Sequence, residues 1–345
     1  MITEGLAKIN VVTRKIVSKK MDVFYNPVME LNRTSSVLLL NALDKKGMQI
    51  GLPLEGSGIR GMRFLKELKK GMIKSIAFND YDPKAVKKIK ENLKLNKLDK
   101  DKRIEVHQKD ASLFLLESFG FDYIDIDPFG TPNPFLDAAV KRLARDGILA
   151  VTATDTAPLS GTYPEACLRK YWAFPVKSDI MHEVGLRILV RKIQLVGAQY
   201  DKAFAPIFSF SKEHYMRVYL RCEKSKEKVD EILKKHGMLG NAGPLWLGSL
   251  WDSAIAKRIA SASPRPWESF FQMIAEESEI PSRGFLYIPT LAAKLKVECP
   301  KETLIIDAVK KKGFPCAKTH FKENSLRTTM SEKELLKVLR QIAGR

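Results

Sequence analysis

FDYIDIDPFG, at residues 121–130, is the stretch of this sequence that best indicates the fold. Apolar residues alternate with acids as far as Ile126, a pattern typical of a β-strand, and Asp127-Pro128-Phe129 follows directly. Because such pairs as Asp-Pro and Phe-Gly are common in turns, a strand followed by a tight turn would explain the segment without any function. In an open α/β sheet, however, ligands bind at the carboxyl ends of strands. A carboxylate, a proline carbonyl oxygen and an aromatic ring at that place suit a flat base that carries an amino group.

Strand-like and helix-like segments alternate on both sides of this stretch. Strands are predicted at 48–54, 74–78, 103–107, 121–127 and 147–155, and helices at 32–43, 61–69, 84–96, 133–144 and 182–200. Asp82 and Pro83 suit the N-cap and the first position of the third helix. Such alternation favours an α/β fold with a parallel sheet covered by helices on both faces.

The regular alternation of predicted strands and helices ends in the second half of the chain. Two strand-like runs at 203–210 and 215–222 are expected to form an antiparallel hairpin that closes the sheet. A Lys/Glu-rich stretch then leads to a more helical region with short strands. We therefore predict two domains, residues 1–237 and a smaller α+β domain of residues 238–345.

Charge is the most informative global property of the chain. It has 59 lysines and arginines against 40 acids, a net charge of +19 at pH 7. A surplus of this size favours a polyanionic partner, although a lysine-rich solvated surface would also account for it. Nucleic acid fits better than anionic lipid, because no basic helix with bulky apolar anchors is evident.

Composition also excludes several classes of protein. No apolar run is long enough to span a membrane, and the first residues lack the apolar core of a signal peptide, so a cytoplasmic protein is expected. The 4 cysteines form no C-x-x-C pair, and none of the 5 histidines has metal-ligand spacing. We therefore expect buried free thiols and no metal.

A glycine-rich turn follows the first strand of the predicted sheet. The turn, GSGIRG at 56–61, fits the G-x-G-x-x-G pattern of dinucleotide-binding proteins, so a nicotinamide cofactor has to be considered. Glu55, immediately before the first glycine, argues against it, because a carboxylate would repel a pyrophosphate. The same carboxylate suits a cationic ligand, and Gly56 and Gly58 would let the backbone approach it.

Acidic residues end four successive predicted strands, namely Glu55, Asp80, Asp110 and Asp127. Each one alone is a common turn or N-cap residue. The ordered series instead predicts a ligand with a cationic group and hydroxyls and no phosphate. S-adenosylmethionine has these properties, with Asp80 placed for its ribose and Asp110-Ala111 for its adenine.

Several segments together resemble the class I S-adenosylmethionine-dependent methyltransferases, and more narrowly the tRNA (guanine(26)-N(2))-dimethyltransferase family. The matching segments are VFYNPVMELNR (23–33), EGSGIRGMRF (55–64), ND (79–80), DA (110–111), DIDPFGTP (125–132), TATDTAPLSGTYPEACLRKYW (152–172), HEVGLRILV (182–190) and GPLWLG (243–248). They cover most of the chain in order. The resemblance implies a Rossmann-like sheet and a catalytic amino-terminal domain that binds S-adenosylmethionine.

The resemblance also implies roles for individual residues. Cofactor-binding residues would be Arg33, Arg63, Asp80, Asp110 and Ala111, joined by Glu55, Gly56 and Gly58 of the glycine-rich turn. Asp127 would be the catalytic acid, with Pro128 accepting a second amine hydrogen through its carbonyl oxygen. Phe24 and Phe129 would hold the target base between them. Arg60 lies one helical turn from Arg63, which we prefer for the cofactor.

The expected activity is the transfer of one or two methyl groups to the 2-amino group of a flipped-out guanine in tRNA. The protein would be a cytoplasmic, monomeric, tRNA-binding enzyme of tRNA processing. Residues 310–327, with six basic residues, one acid and Phe314 and Phe321 between them, are a candidate RNA contact, or else a solvated loop. Alternatives are an amino-methyltransferase acting on another nucleic acid or a protein amide, and an inactive RNA-binding module.

Overall fold

Strands and helices alternate through most of the chain, and the computed structural model describes residues 1–11 and 25–344. The strands are β1 (Ile2–Glu4), β2 (Ala7–Ile9), β3 (Met48–Leu52), β4 (Ile73–Asp80), β5 (Ile104–Gln108), β6 (Phe121–Ile126), β7 (Leu143–Ala153), β8 (Lys202–Lys212), β9 (Tyr215–Lys224), β10 (His236–Leu239), β11 (Ala242–Trp246), β12 (Leu286–Tyr287), β13 (Cys316–Lys318) and β14 (Ser325–Thr328). The helices are α1 (Glu30–Leu43), α2 (Ile59–Glu67), α3 (Pro83–Leu95), α4 (Ala111–Glu117), α5 (Asn133–Arg142), α6 (Thr156–Leu159), α7 (Pro164–Tyr171), α8 (Met181–Ala198), α9 (Lys226–Leu233), α10 (Ser253–Ser261), α11 (Glu268–Glu277), α12 (Ile288–Leu295), α13 (Glu302–Lys311) and α14 (Glu332–Ala343).

A seven-stranded sheet has the order β5-β4-β3-β6-β7-β9-β8. The five strands from β5 to β7 run parallel, and β9 pairs antiparallel with β7. The predicted parallel sheet with an antiparallel hairpin at one side is therefore confirmed. Strand order reverses between β3 and β6, and a crevice for ligands opens at such a switch point.

The central strands are apolar on both faces because helices cover both faces. Ile50, Ile76, Ile124 and Leu149 are completely buried. Helix α2 lies so close to the sheet that a Cβ on Gly61 would be 2.3 Å from the ring of Phe78. The third glycine of the GSGIRG turn is thus required for packing, whereas the other two shape the turn itself.

The chain folds into two compact units that are not continuous in sequence. One comprises Met1–Asp155, Val190–Ile207 and Tyr215–Lys235, and the other comprises Thr156–Leu189, Phe208–His214 and His236–Arg345. We call them the sheet unit and the carboxyl-terminal unit. The first long segment of the sheet unit contains β1 to β7, and the last segment contains β9. The predicted division at residue 237 treated each domain as one continuous segment, whereas 156–189 and 208–214 group with the carboxyl-terminal residues.

The carboxyl-terminal unit has its own apolar core and a fully buried cluster of charges. Leu326, Leu335 and Leu339 are among the core residues. Arg327 donates to Glu183 Oε2 at 2.6 Å and to Glu277 Oε2 at 3.0 Å. Burial alone would favour neutral acids, but Arg327 and then Arg187 lower the pKa of Glu183 to about 2. The cluster is therefore held in its ionised form.

Two residues of the expected RNA contact at 310–327 lie in the interior instead of on the surface. Phe321 is 6% exposed and stacks against Phe285, and Arg327 is the centre of the buried charge cluster. Phe314 is half-buried against the core of the same unit. The prediction that Phe321 stacks on RNA was wrong, because basic-aromatic composition does not distinguish a turn that packs on the core from an exposed loop.

Three cysteines, Cys167, Cys222 and Cys316, are buried free thiols as expected, whereas Cys299 is exposed. Within residues 1–11 and 25–344, no three His, Cys, Asp or Glu side chains gather in an arrangement that could hold a metal ion. No helix in the same residues combines the length and apolarity needed to cross a membrane.

Candidate active site

The candidate site lies at the carboxyl ends of the parallel strands, where the chain leaves β3, β4, β5 and β6. Parallel strands end at one edge of a sheet, so the four predicted acids share that edge. Glu55 follows β3, Asp80 ends β4, Asp110 follows β5 and Asp127 follows β6. β3 and β6 are neighbours, which places the glycine-rich turn and Asp127-Pro128-Phe129 on the two sides of the switch point.

The glycine-rich turn is held open by its own backbone conformation and by Asp80. Gly56 and Gly58 have φ of 58° and 81°, values at which residues with a Cβ are strained. The Gly56 amide donates to Asp80 Oδ2 at 2.8 Å, so two of the predicted cofactor residues are in contact. Burial raises the pKa of Asp80 above its ordinary value. The turn and the end of β4 thus form one rigid wall of the crevice.

Glu55 is a buried carboxyl, and no cation of residues 1–11 or 25–344 is in direct contact with it. Its Oε1 accepts a hydrogen bond from the Gly61 amide at 2.8 Å. Burial raises the pKa of Glu55 to about 8, more than the Gly61 amide and the nearby Arg60 can offset. A cation that reaches this buried carboxyl would favour its ionised form and be held by it.

Asp110 and Ala111 begin helix α4. The Asp110 side chain is exposed and caps the helix by accepting from the amides of Ser112 and Leu113 at 2.9 and 3.1 Å. Ala111 is 3% exposed. The pair therefore forms the far end of the crevice, beyond β4 in the order of strands.

Arg33 and Arg63 lie together around an acid that the sequence did not indicate. Arg33 Nε donates to Glu4 Oε1 at 2.7 Å, and Arg63 Nη1 donates to the same oxygen at 3.0 Å. Arg63 also donates to Glu67 through Nε and Nη2. Both arginines are at most 5% exposed. These two predicted cofactor residues are thus engaged with protein carboxylates rather than exposed at the strand ends.

Asp127 is partly accessible, with 18% of its side chain exposed, at the start of the predicted catalytic motif. Pro128 is buried and Phe129 is 41% exposed. The Gly130 amide donates to Thr154 Oγ1 at 2.6 Å, which ties the motif to the end of β7. Phe24, the predicted second aromatic residue, lies outside the described residues.

A buried polar network lies directly behind Asp127. Arg60 Nη2 donates to Asp127 Oδ2, and Arg60 Nη1 is 3.2 Å from Asp125 Oδ2. Arg217 donates to both oxygens of Asp125 at 2.8 and 2.6 Å. Burial disfavours charge on Asp125, yet Arg217 and Arg60 together lower its pKa. The charges of Arg60, Asp125 and Arg217 therefore balance that of the partly exposed Asp127 carboxylate in front of them.

Residues 5–241 and 238–340 match the family model described as TRM: N2,N2-dimethylguanosine tRNA methyltransferase. The chain belongs to this family. The match extends over both units and includes all the site residues predicted from the sequence, from Phe24 to Phe129. The family resemblance expected from the sequence motifs is therefore confirmed.

Named relatives of the N2,N2-dimethylguanosine tRNA methyltransferase family align with almost the whole chain. The tRNA (guanine(26)-N(2)/guanine(27)-N(2))-dimethyltransferase of Aquifex aeolicus is 38% identical over 99% of this chain and 96% of its own length. The tRNA (guanine(26)-N(2))-dimethyltransferase of Methanobrevibacter smithii is 36% identical, with coverage of 99% and 97%.

A solved structure of this family has the same fold. It is the complex of Trm1 from Pyrococcus horikoshii with S-adenosyl-L-methionine, which is 33% identical and superimposes with a TM-score of 0.87 over 98% of each chain. The expected methyltransferase fold, a largely parallel sheet with a smaller carboxyl-terminal α+β part, is confirmed by this agreement.

Three buried charged residues of this family member were missed as site components in the sequence, namely Glu4, Asp125 and Arg217, and Arg60 was considered but Arg63 was preferred. The contacts join residues that are distant in sequence: Arg60 and Asp127 are 67 positions apart, and Asp125 and Arg217 are 92 positions apart. The one available signal was Asp125 itself, an acid at an inward position of an otherwise apolar strand, which requires a buried cation.

Proposed function

We propose that this chain is an S-adenosylmethionine-dependent tRNA methyltransferase that transfers one or two methyl groups to the 2-amino group of guanine 26. The observation that carries the proposal is the partly exposed Asp127 carboxylate beside Phe129, at the same switch-point crevice as the buried Glu55. Membership of the family over both units supports the tRNA substrate. The names of the full-length relatives support the position of the guanine.

The residues at the strand ends fit S-adenosylmethionine. Glu55 would accept hydrogen bonds from the ammonium group of its methionine part, and Gly56 and Gly58 leave room for it. Asp80 and the Asp110-Ala111 pair would hold the ribose and the adenine. When bound, S-adenosylmethionine supplies a methyl group on a positively charged sulfur. Arg33 and Arg63 would support this site from beneath, through Glu4.

The guanine would be held by the motif that follows β6. Its amino group is a weak nucleophile, because the nitrogen lone pair is delocalised into the ring. Asp127 and the carbonyl oxygen of Pro128 would each accept one amine hydrogen, which directs the lone pair toward the methyl group. Phe129 and Phe24 would stack on the two faces of the base. Stacking of roughly 1–3 kcal/mol per base offsets the few kcal/mol that flipping the nucleotide costs.

The chemical step balances within this arrangement. The guanine nitrogen forms a bond to the methyl carbon, the carbon–sulfur bond breaks, and its electron pair stays on sulfur. The amine proton passes to Asp127 and then to water. A second round requires that the monomethylated amine turns its remaining hydrogen toward Asp127.

The direct test uses the purified full chain, an unmodified tRNA transcript and methyl-labelled S-adenosylmethionine, followed by digestion and nucleoside chromatography. N2-methylated guanosine that disappears when guanine 26 is replaced is the expected result. N2-methylated guanosine that persists after guanine 26 is replaced would move the acceptor to another guanine, such as the neighbouring guanine 27, and label in another nucleoside would replace guanine as the acceptor. Binding of S-adenosylmethionine without any labelled product would favour an RNA-binding module that lacks activity.

The proposed role of Glu55 predicts a pH-dependent affinity for the cofactor. A cation binds the ionised carboxyl, so below pH 8 binding must displace a proton. We expect affinity to rise by up to about tenfold per pH unit between pH 6 and 8, and Glu55→Gln to remove this part of the dependence. Titration calorimetry with S-adenosylmethionine at pH 6, 7 and 8 measures it.

Glutamine keeps the acceptor for the Gly61 amide, so the variant isolates the charge. The cofactor's own amino group titrates identically with both proteins and cancels in their affinity ratio. If the affinity for S-adenosylmethionine changed with pH in the same way for the wild type and Glu55→Gln, the proposed role of Glu55 would be contradicted. In the free protein the raised pKa of Glu55 makes its contribution to stability fall as pH rises. This contribution is lost between about pH 4.5 and about pH 8, because the folded state retains a proton that the unfolded chain has released.

We also propose that residues 1–237 carry out catalysis and that residues 238–345 contact tRNA. Lys310, Lys311 and Lys312, at the end of α13, are all exposed. Changing the three to glutamine is expected to weaken tRNA binding and to lower the slope of log K against log salt by about one per lost phosphate contact. Filter binding over a salt series measures both, with cofactor affinity unchanged.

A matched control removes the same charge from three lysines that already pair with acids of their own unit, Lys257 with Glu279, Lys294 with Glu332 and Lys318 with Glu302. Equal losses of tRNA affinity in both triple variants would indicate a general charge effect and not a contact at α13. The tRNA-bound enzyme is proposed to act as a monomer in the cytoplasm.

A further inference from the structure

Arg60 is the residue that links the two sides of the switch-point crevice. It lies in the first turn of α2, after β3, and its guanidinium reaches the Asp127 carboxylate after β6. A cation in the first turn of a helix is unfavourable with respect to the helix dipole. The side chain is also 5% exposed, so its charge has little solvation. Both costs are offset by its carboxylate partners, which indicates that its position serves those contacts.

The contacts of Arg60 fix its guanidinium in one orientation. Nη1 donates to Ser36 Oγ at 2.9 Å, and Nη2 donates to Asn32 Oδ1 at 3.1 Å as well as to Asp127 Oδ2. Asn32 in turn donates to Thr152 Oγ1 at 3.0 Å. The planar fork of arginine suits this set of acceptors, whereas a lysine ammonium cannot reproduce it.

The fixed orientation of Arg60 determines how the Asp127 carboxylate is held. Its Oδ2 is engaged with Arg60, and its Oδ1 accepts no hydrogen bond from residues 1–11 or 25–344. One oxygen of the partly exposed carboxylate is therefore held by Arg60, and the other has no hydrogen-bond donor among the described residues. Removal of Arg60 would leave the side chain free to rotate and without its adjacent cation.

We propose that Arg60 is a positioning residue for methyl transfer, an inference that rests on the proposed function. Arg60 orients the Asp127 carboxylate so that its Oδ1 meets the guanine amine. Arg60 takes no part in proton transfer itself. The proton goes from the amine to Oδ1, while Oδ2 stays hydrogen-bonded to Arg60.

Other charged and titratable groups surround the pair and remain in every variant. They are Glu55 from the glycine-rich turn, Tyr123 and Asp125 from β6, and Tyr215 and Arg217 from β9. Arg217 keeps its two hydrogen bonds to Asp125 when Arg60 is changed. An Arg60 variant therefore does not leave Asp125 without a cation.

The test compares Arg60→Met and Arg60→Lys with the wild type in the labelled tRNA assay. For Arg60→Met we expect kcat to fall about 10²-fold, with KM for tRNA and the Kd for S-adenosylmethionine changed less than about threefold. Arg60→Lys, which keeps the charge, should be intermediate and serves if the methionine variant does not fold.

A double-mutant cycle separates positioning from a general structural role. If Arg60 acts through Asp127, then Arg60→Met lowers activity no further in an Asp127→Asn background. Losses that multiply, or a wild-type kcat for Arg60→Met, would overturn the inference. The proposed role of Asp127 fails separately, if Asp127→Asn alone turns over normally. Arg103→Met, which removes an arginine–aspartate pair elsewhere in the sheet unit, should keep wild-type kcat.

Discussion

Replacing Asp127 by asparagine is expected to lower kcat for methyl transfer by at least about 10³-fold while S-adenosylmethionine binds as in the wild type. Asparagine has the same shape but cannot take the proton that the amine must lose. Its amide oxygen would also turn toward Arg60, which leaves an NH2 group facing the guanine amine, donor against donor. Single-turnover assays with labelled cofactor, together with calorimetric binding, measure the two quantities.

Asp122→Asn is the matched control, because Asp122 lies at the other end of the same strand. Its two oxygens accept from Lys45 Nζ and the Gln49 amide at 2.7 and 2.9 Å. We expect its kcat to be unchanged. Normal turnover by Asp127→Asn would remove the proposed catalytic role, and a large loss in both variants would indicate damage to β6 instead.

Replacing Arg327 by methionine is expected to lower the free energy of unfolding of the carboxyl-terminal unit by about 3–5 kcal/mol. Methionine fills similar space, but Glu183 and Glu277 then lose their shared cation in the interior. The 4 tryptophans of the chain, Trp172, Trp246, Trp251 and Trp267, all belong to this unit. Urea denaturation followed by tryptophan fluorescence therefore reports on the unit that is changed.

The loss of stability caused by Arg327→Met should become smaller as pH falls. In the wild type the pKa of Glu183 is lowered from 4.5 to about 2, so its stabilising contribution is complete above pH 4.5 and is lost as pH falls toward 2. The difference between the two proteins should shrink over the same range. Lys294→Met, which breaks an exposed pair with Glu332, is the control and should cost at most about 1 kcal/mol. An equal, pH-independent loss in both variants would contradict the explanation.

Local sequence patterns were sufficient to predict the sheet and the residues at its carboxyl edge. Asp82 caps α3 as expected, because the capping signal consists of adjacent residues. The acids at the ends of β3 to β6 could be placed for the same reason, since the end of a strand is a local property. Their roles toward cofactor and guanine remain predictions.

Contacts between distant segments could not be predicted in this way. Arg60 and Arg63 lie one helical turn apart in α2, and nothing in the local pattern distinguishes their partners. In the structure Arg60 donates to Asp127, whereas Arg63 donates to Glu4 and Glu67. The interleaving of the two units was missed for a related reason, because the segment at 156–189 has the helical composition of either unit.

The pairing of Asp125 with Arg217 also makes the charge balance inside the sheet unit depend on a part of the chain that is synthesised late. The two residues are 92 positions apart, and Arg217 belongs to the last segment of the sheet unit. Until that segment has emerged from the ribosome, Arg60 is the one cation of the network already made to balance both Asp125 and Asp127. A folded sheet unit without β9 would therefore have Asp125 and Asp127 against the single charge of Arg60, and β9 brings both the last strand of the sheet in sequence and the second cation of the network.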